Sequence, residues 1–162
     1  MSRALLRLLP VFLSLAAAGV CAQPFEGEPG KDVVWIASPR DMVEKMLDMA
    51  RVTPQDYVID LGSGDGRNVI AAAKRGARAL GVEYNPKMVE LSQARAAKEG
   101  VADKAQFVQG DMYEADVSQA TALILFLIPQ NLEKLAPKFI ALKPGTRIVS
   151  NTYEIGGGWE PD

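Results

Sequence analysis

The residues of this chain that could do chemistry are acids and glycines that directly follow short apolar runs. The run 57–59 ends on Asp60 and the glycine-rich segment 61–66, LGSGDG. A second run ends on Glu83, and a third is followed by Gly110 and Asp111. Glycine lets a ligand approach the backbone closely, and carboxylates accept hydrogen bonds from hydroxyl, amino or ammonium groups. The pattern indicates a ligand site at the glycine loop, with a simple tight turn as the alternative.

The composition excludes several kinds of catalysis. The 162 residues include no histidine and one cysteine, Cys21. A Ser-His-Asp triad, an imidazole base, an internal disulfide and a Cys/His metal centre are therefore excluded, and we expect no metal site. The net charge is −2 and there are no runs of lysine and arginine, so we expect no nucleic-acid partner.

The N-terminal segment differs from the rest of the chain. Arg3 and Arg7 are the only charges before Glu26, and 8–20 is almost entirely apolar. This pattern predicts a signal peptide or membrane anchor over 1–22, with a mitochondrial presequence as the alternative. We therefore expect an exported, periplasmic or membrane-anchored protein, with membrane association through this segment. Residues 23–37, rich in proline and glycine, are predicted as a linker or docking arm before a domain over 38–162.

Alternating periodicities predict an α/β fold in the remaining chain. Ser38 is predicted as the N-cap of a first helix that Pro39 begins. Apolar and β-branched runs predict strands at 57–60, 79–83, 105–109, 122–128 and 147–151, separated by helices at 68–75, 85–99 and 131–142. Such an alternation is typical of a mainly parallel sheet with helices on both faces. Its ligands bind at the C-terminal ends of the strands, where these acids would meet.

The glycine spacing does not suit a dinucleotide. Arg67 stands where the dinucleotide motif has its third glycine, and Asp60 and Asp65 would place negative charge beside a pyrophosphate. A ligand with an ammonium or sulfonium group suits these acids better than NAD does. Glu83 could accept from vicinal ribose hydroxyls, Asp111 from an adenine amino group, and Met112 could pack on the ring.

Together, the segments VIDLGSGDG, GVEYNP, QGDM and LKPGTRIVS resemble the Rossmann-like, class I S-adenosylmethionine-dependent methyltransferases over residues 57–151. The resemblance implies S-adenosylmethionine as the cofactor, with Glu83 on its ribose and Asp111 and Met112 beside its adenine. It implies that the methionyl part is held by Asp60, Gly62, Ser63, Gly64, Asp65 and Gly66. It implies methyl transfer but identifies no catalytic residue. The alternative is a non-catalytic nucleoside-binding module or a truncated, inactive methyltransferase.

A finer resemblance concerns the methyl acceptor. Ser38-Pro39 ahead of the first helix, DLGSGDGR, GVE and RIVS are similar to protein-lysine methyltransferases of the telomeric-silencing histone type and the mitochondrial type. This implies a lysine amine as the acceptor, with a small molecule as the alternative, and a role for Ser38 in closing the cofactor pocket. The fourth strand runs into LIPQ, without the acid or amide and the aromatic residue of amino-directed nucleic-acid methyltransferases. The polar candidates for contacting an acceptor are Gln130, Asn131, Asn151, Tyr153 and Glu154.

The end of the sheet is also expected to differ from the family pattern. The family's sheet normally continues beyond its fifth strand with an antiparallel pair, whereas only 152–162 follow that strand here. We therefore expect either a fragment of a longer protein or a shortened variant, in which the fifth strand is an exposed edge of the sheet.

Overall fold

The computed structural model describes residues 35–156 and residue 159. The predicted signal or anchor segment 1–22 and most of the predicted linker lie outside the described residues. Helices and strands alternate along the described chain. They are α1 (Arg40–Met49), β1 (Tyr57–Leu61), α2 (Arg67–Lys74), β2 (Arg78–Glu83), α3 (Pro86–Lys98), β3 (Ala105–Gln109), β4 (Ala122–Leu125), α4 (Pro129–Ile140) and β5 (Arg147–Ser150).

The five strands form one parallel sheet in the order β3-β2-β1-β4-β5. The order reverses between β1 and β4, so the loops after these two strands diverge and leave a crevice at the C-terminal edge. In the register, Asp60 lies beside Gly81 and Glu83 beside Gln109. The acids at the ends of β1, β2 and β3 therefore lie at the same C-terminal edge of the sheet, as predicted.

Helices cover both faces of the sheet. Alternate side chains of each buried strand point to opposite faces, which gives two apolar clusters. Val58 and Ile124 pack with residues of α1, α2 and α3, whereas Ile59 and Leu123 pack with residues of α4. The predicted Rossmann-like fold with a mainly parallel sheet is confirmed. Within the described part of the chain, β5 lies at one edge of the sheet, and its four residues are half-buried.

The predicted start of α1, end of β4 and start of α4 are wrong. The N-cap of α1 is Pro39 and no side chain caps the helix, because Pro39 is extended (ψ 147°) and holds Ser38 one residue too far from the free amides. The fourth strand stops at Leu125, and α4 begins at Pro129 instead of residue 131. A residue before proline is driven to an extended backbone, as Ile128 is, and proline suits the first helical position.

None of the helices within 35–156 combines the length and apolar character that a membrane span requires.

Candidate functional site

Glu83 joins the glycine loop to the turn that follows β2. The Gly64 N–H donates to Glu83 Oε2 (2.9 Å), and the Asn85 N–H donates to Glu83 Oε1 (2.8 Å). The Gly62 and Ser63 amides both donate to the Val82 carbonyl, which holds the loop against the end of β2. Each carboxylate oxygen has a second lone pair, so Glu83 can accept two further hydrogen bonds from a ligand.

Asp60 is a buried carboxylate at the end of β1, with 2% of its surface exposed. The Asn68 Nδ2 group, in the first turn of α2, donates to Asp60 Oδ2 (3.0 Å). Burial raises the pKa of Asp60 well above its ordinary value; the bond from Asn68 opposes this, and the negative charges of Glu83 and Asp65 add to it. Asp60 therefore has no cationic partner among the described residues, and a bound cation would relieve the cost of ionising it.

Asp65 is paired within the protein. Its carboxylate accepts from Arg67 at 2.9 and 2.7 Å and also pairs with Arg95 of α3. Burial alone would raise the pKa of Asp65, but the hydrogen bonds and charges of the two guanidinium groups hold it below its ordinary value. The negative charge that the sequence predicted here is thus compensated by two arginines, and Asp60 and Glu83 supply the acidity at the glycine loop.

Two glycines are required by close packing. A Cβ on Gly66 would lie 2.7 Å from the Phe107 ring and 2.8 Å from Ser92 Cβ, and Gly66 has φ +79°. A Cβ on Gly81 would lie 2.5 Å from Ser63 Oγ. Gly66 therefore lets α2 approach β3 and α3, and Gly81 makes room for the glycine loop. Gly81 was not identified from the sequence, because its neighbour Ser63 comes from another strand-loop unit.

The segment before α1 covers the glycine loop. A Cβ on Gly64 would overlap the Trp35 indole, and Ser38 is buried with its carbonyl accepting from Arg67. Trp35, Ala37 and Ser38 all line the cavity at this edge of the sheet. The described end of the predicted linker is thus part of the site, and the position of Ser38 agrees with its implied role in closing the pocket.

One cavity collects most of the predicted site residues. Asp60, Gly62, Ser63, Asp65, Glu83, Asp111 and Met112 line it, together with Arg67, Asn68, Val82, Phe126, Leu127 and Asn131. Gly64 and Gly66 do not line it; Gly64 lies against the Trp35 indole, and Gly66 against Phe107 and Ser92. Of the five predicted acceptor residues, only Asn131 lines the cavity. Trp35 and Asn68 were not proposed from the sequence, which by itself places them in a linker and at the start of a helix.

The buried polar atoms of the cavity indicate that it holds a polar ligand. Ser63 Oγ, Asn68 Oδ1 and Asn131 Nδ2 are buried and have no hydrogen-bond partner among the described residues. Such atoms cost about 1–3 kcal/mol each unless a ligand or water satisfies them. Acceptors at Asp60 and Asn68 suit an ammonium group, Glu83 suits a diol, and Val82 and Met112 supply apolar surface for a base. The cavity therefore fits S-adenosylmethionine, and the fold and site define a class I, S-adenosylmethionine-dependent methyltransferase.

The comparisons with known proteins agree with this class. The family model described as the ANTKMT methyltransferase domain matches residues 60–162, and the chain belongs to this family. A protein-lysine N-methyltransferase of Saccharolobus islandicus is 42% identical over 132 residues, which cover 80% of this chain and 81% of that protein. The adenine nucleotide translocase lysine N-methyltransferase of Mus musculus is 33% identical over 131 residues, which cover 80% of this chain. The matched residues make up 56% of the mouse protein, so this chain corresponds to little more than half of that relative.

A solved structure is also similar to this chain. It is described as an RNA methyltransferase from Salinibacter ruber in complex with S-adenosyl-L-homocysteine. Its sequence identity is 44% and its TM-score 0.75, over 78% of this chain and 84% of that one. The three relatives are thus all methyltransferases by name and differ in the acceptor that their names state.

Proposed function

We propose that this protein transfers the methyl group of S-adenosylmethionine to the ε-amine of a lysine in a protein. The names of the Saccharolobus and mouse relatives support a lysine acceptor. The segments RIVS and DLGSGDGR, which resemble those of protein-lysine methyltransferases, support the same acceptor. The charge of the cavity is the observation that favours a protein over an RNA as the methyl acceptor.

The cavity is acidic. Its charged lining residues are four carboxylates and one guanidinium group, namely Asp60, Asp65, Glu83, Asp111 and Arg67. Arg67 is ion-paired with Asp65, so these two charges offset each other, and Asp60, Glu83 and Asp111 make the cavity acidic. The negative potential of these carboxylates reaches the mouth of the cavity, where it attracts a lysine ammonium group and repels the phosphates of RNA.

The apolar lining after β4 supports the same acceptor. Phe126 and Leu127 follow the strand and line the cavity, and Ile36 and Tyr84, both more than half exposed, line it from other elements. An aliphatic lysine stem can pack along such surfaces while its amine enters the mouth of the cavity. Ile128 stands before Pro129, where the amino-directed nucleic-acid methyltransferases carry an acid or amide that orients the amino group of a base.

The chemistry asked of the protein is alignment. The cofactor supplies a methyl group that is already activated on a sulfonium sulfur. Glu83 binds the ribose of the cofactor and Asp60 its methionyl ammonium group. The cavity wall after β4 orients the lysine amine toward the methyl group. The lysine ammonium group first loses a proton to water; its neutral nitrogen then forms the new N–C bond, and the electron pair of the broken S–C bond stays on sulfur.

The test is methyl transfer into fractions of a host cell. The full-length chain is incubated with S-adenosylmethionine tritiated on its methyl group, together with separate protein and RNA fractions. We expect label that resists ribonuclease, is lost with protease, and is recovered as methyllysine after acid hydrolysis. The E83A variant controls for enzyme dependence, and a protein fraction whose lysines have been chemically blocked controls for the acceptor.

Three results would count against the proposal. Label recovered in RNA would replace the lysine acceptor by a nucleotide, in line with the name of the Salinibacter relative. Transfer to a small molecule alone would remove the protein acceptor. Cofactor binding without transfer to any fraction would favour the non-catalytic module.

The cellular location is a proposal that rests on the leader pattern of 1–22. We propose that this segment carries the protein to or across a membrane. A fusion of residues 1–22 to alkaline phosphatase, which is active only after export, tests it. Phosphatase activity with a membrane-bound fusion supports an anchor, and a cleaved soluble fusion supports a signal peptide. An inactive fusion contradicts both.

A further inference from the structure

Asn68 is a buried amide with one half of its hydrogen-bonding capacity unused. It is 4% exposed, lies in the first turn of α2 and lines the cavity. Its Nδ2 group donates to Asp60 Oδ2, and its Oδ1 atom has no partner among the residues that the structure describes. Because the Nδ2 group is bonded to Asp60, the Oδ1 atom is the branch of the amide that is left to bind a ligand.

The surroundings of Asn68 indicate what its oxygen would bind. Asp60 and Asn68 are hydrogen-bonded neighbours that both carry acceptor oxygens, and the charges that act on Asp60 from Glu83 and Asp65 are both negative. The missing partner is therefore a cationic group with several N–H donors. The methionyl ammonium is the one part of S-adenosylmethionine with this character, whereas its ribose offers neutral hydroxyls that suit Glu83.

We propose that Asn68 Oδ1, beside Asp60, accepts a hydrogen bond from the methionyl ammonium of S-adenosylmethionine and so sets the position of the methionyl chain. Asn68 lies outside the segment 60–66 to which the family resemblance assigned this part of the cofactor. The inference concerns the cofactor and not the acceptor. Its test needs no methyl transfer, so its failure is distinguishable from failure of the lysine proposal.

The experiment compares two ligands that differ only where Asn68 is expected to act. S-Adenosylhomocysteine and 5′-methylthioadenosine share adenine, ribose and a thioether sulfur, but the second lacks the amino-acid end. Their dissociation constants are measured by calorimetry on the whole wild-type chain and on Asn68→Leu, which keeps the branched shape and the number of side-chain heavy atoms but has no polar atom. We expect the variant to bind S-adenosylhomocysteine about ten-fold or more weakly, because a hydrogen bond to a charged group is lost. Binding of 5′-methylthioadenosine should change less than about three-fold, within the usual additivity error.

The control is Val69→Ala, a fully buried neighbour on α2 that does not line the cavity. It loosens the same helix, so any effect on binding should be equal for the two ligands. Asn68→Ser removes the amide without adding apolar volume and carries the same expectation if the leucine variant does not fold. Equal weakening of both ligands by the Asn68 variants, or unchanged binding of S-adenosylhomocysteine, overturns the proposal.

Discussion

Replacing Gly66 by alanine should destabilise the protein, because the position is crowded. An alanine there would place its Cβ 2.7 Å from two carbons of the Phe107 ring and 2.8 Å from Ser92 Cβ. Neither neighbour can move freely, because Phe107 is 6% exposed and Ser92 is fully buried. The left-handed backbone, φ +79°, adds its own cost for a residue with a side chain.

The magnitude follows from these two terms. The left-handed conformation costs about 1–2 kcal/mol for a non-glycine residue. Overpacking a well-filled interior costs about 1–3 kcal/mol more. Gly66→Ala should therefore lower the free energy of unfolding by about 2–5 kcal/mol, which is a large part of the typical total of about 5–15 kcal/mol.

Gly100 provides a matched control. It has φ +71°, and a Cβ there would meet nothing within 4 Å among the described residues. Gly100→Ala therefore has the backbone cost without the crowding, and both variants gain equally from a less flexible unfolded chain. Urea unfolding followed by circular dichroism measures both, with equal m-values as the condition for comparison. If the two variants lose the same free energy, the crowding at Gly66 is refuted.

Two further predictions concern the acids of the cavity. Glu83→Gln keeps one acceptor oxygen but turns an NH₂ group toward a backbone N–H, so S-adenosylhomocysteine and 5′-methylthioadenosine, which both carry ribose, should each bind about ten-fold more weakly. Calorimetry that finds the second ligand unaffected would remove Glu83 from the ribose site. Asp60→Asn removes a buried carboxyl group whose pKa is raised in the native state. As the pH rises above the pKa of this group in the unfolded chain, the unfolded state loses the proton more readily than the native state, so the wild type becomes progressively less stable. The ligand-free variant should thus be more stable than wild type by about 1 kcal/mol at pH 7–8, with the difference disappearing towards pH 4, while S-adenosylhomocysteine binds more weakly. A thermal melt in which the variant is less stable at pH 8 would contradict this reasoning.

The strand-loop-helix units were predictable because their signals are local. The strands β1, β2 and β3 were predicted within a residue of their observed bounds, since apolar runs there end at acids and glycines. The end of β4 was not, because 122–128 is apolar throughout and offers no local stop. Pairing with β5 ends at Leu125 and Ser150, and that partner lies 25 residues along the chain.

The site was predictable in part for the same reason. Asp60 is the penultimate residue of β1, Glu83 ends β2, and Asp111 follows β3 after Gly110. Parallel strands bring such positions together whatever the details of packing. Asn68 and Trp35 carry no such signal. From the sequence alone, Asn68 is explained by its place at the start of a helix and Trp35 by its place in a linker. Only the contacts of the folded chain show that both residues line the cavity.

By itself, the sequence determined the order of strands, glycine loop and acids, and with it the class of cofactor, because these features depend on near neighbours in the chain. Only the tertiary structure decided which of the loop's aspartates is neutralised by the protein itself. Asp65 meets Arg95 of α3, thirty residues away, and is neutralised, whereas Asp60 meets, within the described part of the chain, the amide of Asn68 and the negative charges of its neighbours. Two aspartates five residues apart therefore have opposite pKa shifts, because burial acts on both but positive charge reaches only one.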